Sequence, residues 1–156
     1  MCLVTASKRI KAETDLLVYK CLDTFKGING VMKYYTPYQY VTITFNNGVC
    51  KMKSKLENVV GIRSIKIGIH SYFDKESADT CAISYNKIDG TKVFYAIIPK
   101  DAEYYFGCDG DIVSNKLIIF QHEKDYTAYA KENIVKKASS LFGVKTNNML
   151  KVFNYV

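Results

Sequence analysis

"IRSIKIGIHSYFDKESADTCAISY", residues Ile62 to Tyr85, changes its hydrophobic period once along its length, and that change decides the fold class. In its first part Ile65, Ile67 and Ile69 alternate with Lys66 and Gly68, the period of two that a strand requires. His70 then points with Lys66 and Gly68, away from the isoleucine row. Past Asp74, a helix-capping residue, Ala78, Cys81, Ala82 and Tyr85 recur at i, i+3, i+4 and i+7, which is one face of a helix. A strand therefore runs into a mid-chain helix, with His70, Ser71 and Tyr72 at the junction.

Strand signals dominate on both sides. "DLLVYKCL" (Asp15 to Leu22) is short, apolar and rich in β-formers. "YVTITF", "NNG" and "VCKMK" together predict a hairpin, because Asn-Gly tolerates the positive φ angles of a tight turn. Its second arm would show Lys51, Lys53 and Lys55 on one face, either as an anion-binding stripe or as a solvated, pairing-resistant edge. "VFYAII" is a near-continuous strand stopped by Pro99, and "YYFG" and "DIVSNKLIIF" extend on either side of a turn at Cys108 to Asp111. Helical spacing returns only from Asp125 to Leu141, with Gly143 as its stop, and "NNMLKVFNYV" reads as either strand or helix. The expected architecture is α+β: a mostly antiparallel sheet or half-barrel with a mid-chain helix and a C-terminal helix. Residues 1–122 form the core domain, and 123–156 form a helix and tail packed on that core or used for self-association.

The chain has 156 residues, enough for one hydrophobic core, and its 48% hydrophobic and 24% charged composition is that of a folded protein. Twenty-two Lys+Arg against 15 Asp+Glu leave a net charge of +7. This surplus attracts nucleotides, polyanions or anionic membrane in a salt-sensitive way, and it also serves plain solubility. No arginine-rich block or nucleic-acid motif accompanies it, so specific nucleic-acid binding is not expected. Thirteen tyrosines without a tryptophan supply rings with wet hydroxyls, suited to a partner or a planar ligand. Five cysteines with no C-x-x-C pair fit a reducing compartment and no zinc site. Asp109 and Asp111 fall short of the roughly six to eight oxygens of a calcium site, and no cofactor is expected. The opening "MCLVTASKRIK" is too short an apolar run for a signal peptide, no membrane span is expected, and a membrane is not among the expected partners. The expected location is the cytoplasm.

Candidate ligand-binding residues are Lys20, Tyr34, Tyr35, Tyr38, Gln39, His70, Ser71, Tyr72, Ser114 and Asn115. "YYTPYQ" combines aromatic faces with an amide, able to stack a base and read its edge, or else to form a half-buried sheet rim. His70, near the start of a helix, can bond a phosphate or a ribose hydroxyl, or can fix the junction by bonding a backbone carbonyl. Ser114 and Asn115 interrupt an apolar run and need partners if buried. No complete catalytic set is present.

In order, "VYK", "YYTPYQ", "GIHSYFDKESA", "IIPKDAEYYFG" and "SNKLIIF" resemble a family of small proteins of gut bacteria and their phages, over about residues 1 to 120. A phage origin would make sequestration of a host defence signal a sensible use. A remoter likeness is to the ADP-ribosyltransferase fold, which binds NAD through a basic first-strand residue, a middle-strand Ser or Tyr and a late glutamate. The likeness puts Lys20 in the first role and Ser71 or Tyr72 in the second. "DIVSNKLII" lacks the glutamate, and Glu103, the nearest, precedes the paired tyrosines. A ligand-holding relative without catalysis is what this resemblance implies. The functions expected are thus a non-catalytic binding protein for a nucleotide-like or other phosphate-bearing small ligand, an ADP-ribosyltransferase-like enzyme acting on NAD, or a protein-interaction module or inhibitor, with a homo-oligomer built through the C-terminal helix.

Overall fold

A computed structural model describes residues 3–4, 8–37, 39–58, 64–85, 90–107 and 110–142. The described strands are β1 (Leu3–Val4), β2 (Ile10–Lys11), β3 (Leu16–Lys26), β4 (Met32–Tyr35), β5 (Thr42–Ile43), β6 (Val49–Lys53), β7 (Glu57–Asn58), β8 (Ser64–Ile67), β9 (Ile69–Tyr72), β10 (Thr91–Ile98), β11 (Glu103–Phe106), β12 (Asp111–Ser114) and β13 (Lys116–Phe120). Helix α1 (Lys75–Tyr85) lies mid-chain and α2 (Glu123–Phe142) near the C-terminus. The fold is α+β, and every pairing among the described strands is antiparallel. Of the two sheet forms the sequence allows, the open sheet is the one observed: β2-β11-β12-β9-β3-β10-β13-β6, with β4 and β5 branching from β3. A second sheet has the order β1-β8-β7. The chain divides into two compact units after His122.

Long β3 organises the large sheet. Its alternation places Leu16, Val18 and Leu22 on one face, and the facing β10 residues Ile98, Ala96 and Phe94 lie directly across from Leu16, Val18 and Lys20. With Leu117 and Ile119 of β13, Ile112 of β12 and Ile69 of β9, they form the main core. The opposite face of β3 receives α1, where the Cys21 thiol donates to the Ala78 carbonyl at 3.3 Å. Asp74 caps this helix by accepting from the Ser77 amide at 2.7 Å, as the sequence predicts, because that amide has no partner within the helix.

Two expectations need correction. The isoleucine row is not one strand. The chain breaks at Gly68, so Ile65 packs with Leu56, Tyr105 and Val113 in a small separate cluster, while Ile69 joins the main core. A Cβ at Gly68 would stand 2.2 Å from Val113 Cγ1 and 2.9 Å from Leu56 Cδ1, so the crossing requires glycine. The hairpin is also only a turn. Asn47 and Gly48 adopt φ of 50° and 76°, as Asn-Gly should, yet past the Asn46–Val49 bridge the arms part. β5 pairs with β4, and β6 pairs with β13.

The lysine stripe of β6 holds its predicted geometry, with Lys51, Lys53 and Lys55 exposed and Cys50 and Met52 turned toward the core. Helix α2 begins two residues earlier and ends one residue later than its predicted bounds. On it Tyr126, Tyr129 and Ala130 are half-buried and Ile134 is exposed; the side chains of Ala138 and Leu141, like Gly143 and "NNMLKVFNYV", lie outside the described residues.

Candidate functional site

The predicted site residues fall into three places. The first is a fork in the large sheet. One edge of β3 pairs continuously with β10, but the other is shared: β9 meets it at the single pair Tyr19–Tyr72, and β4 takes over from Asp23 to Lys26. Between these partners, where β9 splays away, the Lys20 side chain crosses and its Nζ donates to the His70 carbonyl at 2.5 Å. Lys20 is buried, and burial lowers its pKa to about 8. The His70 imidazole is pushed down to about 4, first by burial and then by the neighbouring Lys20 charge.

By alternation Ser71 turns with Ile69 toward the main core. It is fully buried and its hydroxyl has no hydrogen-bond partner. Tyr72 turns the other way and donates to Cys81 Sγ of α1 at 2.7 Å, and burial followed by that bond raises its pKa. Cys21, beneath the same helix, is pushed up to about 12, chiefly by burial. His70 thus takes part in the junction through its backbone carbonyl, with the bond supplied by a lysine the sequence places fifty residues away.

The second place is the β12–β13 connection. Ser114 is buried and donates to the Lys116 carbonyl at 2.9 Å. Asn115 Oδ1 accepts from the Glu103 amide at 2.9 Å, and the Asn115 amide donates to the Glu103 carbonyl at 3.0 Å. Asn115 joins β11 to the strand break and Ser114 closes the break on itself, which answers the need a polar pair has inside an apolar run. Glu103 itself faces Arg9 at 3.5 Å, and Arg9 also donates to Tyr105 Oη at 3.1 Å and to the Leu56 carbonyl at 2.9 Å.

The third place is a groove of about 420 Å³ along β4 and β5. Tyr34 and Tyr35 line it with Met32, Lys33, Thr42, Ile43, Thr44, Phe45 and Gln121. The Tyr34 ring stands edge-on to Phe45 and Phe94, at centroid separations of 5.2 and 5.6 Å, so the core holds it in place. Its hydroxyl accepts from Gln121 Nε2 at 3.4 Å. Gln39 is exposed and does not line the groove, and Tyr38 lies outside the described residues.

The first two places adjoin, since β12 pairs with β9 and sets Ser114 across from Ile69, but none of Lys20, His70, Ser71, Tyr72, Ser114 or Asn115 lines the groove. Lys33 and Gln121 were not among the expected residues. Lys33 is signalled by its adjacency to the tyrosine pair, whereas Gln121 has no local signal, since the sheet brings it from far along the chain. A second hollow, of about 640 Å³, is lined by Asp79, Ala82, Ile83, Gly90, Thr91 and Val93. Its described lining holds a carboxylate and no cation, which disfavours an anionic occupant. Among the described residues no group of three or more His, Cys, Asp or Glu could hold a metal ion, and no helix is long and apolar enough to cross a membrane. Compared with known protein families, curated proteins and solved structures, the chain matches none.

Proposed function

We propose that this chain is a non-catalytic binding protein, acting in the cytoplasm of a bacterial host, that holds a nucleotide-like, phosphate-bearing small ligand in the β4–β5 groove. The observation that carries this reading is the meeting of two tyrosines, a lysine and a glutamine amide around one hollow. Its volume of about 420 Å³ lies within the range of roughly 300–1,000 Å³ usual for small-ligand sites. In this reading an aromatic face stacks the base, Gln121 reads its edge, Lys33 meets the phosphate, and Thr42 and Thr44 offer hydroxyls to a sugar. The sheet fork plays no part in binding, because Lys20 and Ser71 are buried beneath it. That burial also weighs against the ADP-ribosyltransferase alternative, which needs Lys20 against NAD. Sequestration of a host signal is the use this reading suggests for a phage-borne protein.

Isothermal titration against NAD-derived and cyclic nucleotides tests the proposal. We expect saturable binding by at least one member, weakened by about 1–3 kcal/mol in Tyr35→Ala, the value of one stacked base. Lys33→Ala should weaken binding most for ligands with a terminal phosphate. Silence across the panel would overturn the proposal, and consumption of NAD by the intact protein would replace it with the enzymatic alternative.

A further inference from the structure

The β3–β4 hairpin extends past its sheet. β10 stops pairing with β3 at Asp23, and the last two rungs, Phe25–Lys33 and Lys26–Met32, have no third strand among the described residues. Soluble surfaces seldom concentrate aliphatic side chains on such a projection. Here Ile28 is fully exposed at the tip, and Phe25, Val31 and Met32 are 52%, 55% and 38% exposed beside it.

We propose that this hairpin tip docks on an anionic lipid bilayer, its aliphatic residues entering the interface while Lys26 and Lys33 meet the headgroups. Three features point to that occupant. Each terminal rung sets one lysine opposite one apolar residue, so both sides of the ribbon carry a cation on a long stem behind the apolar tip. The projecting segment itself carries charge of one sign: from Thr24 to Tyr35 the chain contains two lysines and no Asp or Glu, and the acid at the base of the hairpin, Asp23, is buried. The tip's own backbone is also largely satisfied, with the Gly27 amide donating to the Val31 carbonyl at 2.9 Å, the Gly30 amide to the Gly27 carbonyl at 2.8 Å, and the Val31 amide to Asn29 Oδ1 at 3.2 Å. Donors already paired lower the cost of leaving water. Aliphatic Ile28 and Val31 offer nothing for a base to stack on, which favours lipid over a nucleic-acid strand.

The residues altered in the test, Ile28 and Val31, do not line the groove, whereas Met32 and Lys33 border both the tip and the groove. Its test is co-sedimentation of the full chain with vesicles of equal parts phosphatidylglycerol and phosphatidylcholine, against vesicles of phosphatidylcholine alone. Binding should favour the anionic vesicles and fall as salt is raised from about 0.1 to about 0.5 M. Ile28→Asp with Val31→Asp should lower it by about tenfold or more, through loss of apolar insertion and added negative charge. The same substitutions should leave the melting temperature and the nucleotide titration unchanged, and Ile83→Asp, an exposed apolar position on α1, should bind like the parent. No sedimentation at low salt, or binding indifferent to the tip substitutions, would overturn the proposal. So would a tip-dependent preference for an oligonucleotide, or a tip-dependent dimer with no vesicle binding.

Discussion

Lys20 is a cation inside an apolar strand face, and its energetics follow from where its amine ends. Folding takes it out of water and returns one hydrogen bond, to the His70 carbonyl. At pH below about 8 the amine is charged in folded and unfolded chains alike, and the burial cost is complete. Above that value the folded amine is neutral while the unfolded one keeps its proton up to 10.5, so stability should rise with pH across this window. Cys21 opposes it: its folded thiol stays protonated to about 12 while the unfolded one ionises near 9.0, which makes stability fall above 9.0. Urea midpoints should therefore climb from about pH 8 to 9 in the parent and stay flat there in Lys20→Met. At the acid end, His70 is neutral in the fold down to about 4 while the unfolded imidazole takes a proton near 6.5, so stability should drop as pH falls through that interval, and less steeply in His70→Gln. The buried, unpartnered Ser71 hydroxyl predicts the opposite of the usual core-mutation result: Ser71→Ala should cost nothing in thermal melting and gain up to about 1 kcal/mol.

Among the elements, Gly68 separates β8 from β9 and sends two isoleucines into different clusters. Val113 is fully buried and has no room to yield to a methyl group, so Gly68→Ala should destabilise by about 1–3 kcal/mol in urea titration. The period-two pattern made both strands legible but not the break, because alternation continues through a glycine whose role depends on Val113, brought by another strand. The Asn47–Gly48 turn shows the same boundary from the other side. Its φ angles were readable because they depend on two residues alone, whereas the partners of β5 and β6 depend on edges offered by Tyr34–Tyr35 and by Lys116–Phe120. Helix α1 was legible at both its cap and its packed face, since Asp74 and Ala78 act through nearest turns. In the groove, Tyr34 and Tyr35 were legible as neighbours on one short strand, although alternation turns their side chains to opposite faces, and Gln121 was not, because only the completed sheet delivers it.

Across the whole molecule, the central ladders join distant parts of the chain: residues 16–23 pair with 91–98, and 49–53 with 116–120. Such pairings must close long loops before they yield any contact, so refolding should take milliseconds to seconds, slower than for helical domains of this size. Stopped-flow tyrosine fluorescence would check this, and a microsecond phase carrying the full amplitude would contradict it. The shared edge of β3 has a mechanical consequence as well. Where β9 leaves and β4 has not yet arrived, the Lys20-to-carbonyl hydrogen bond stands in place of a row of backbone hydrogen bonds. Pulled in a force spectrometer with the load set across that line, the molecule should rip there first, shedding β9 with its neighbours as one flap, and shortening the Lys20 tether should lower the rupture force without altering the ladders on either side.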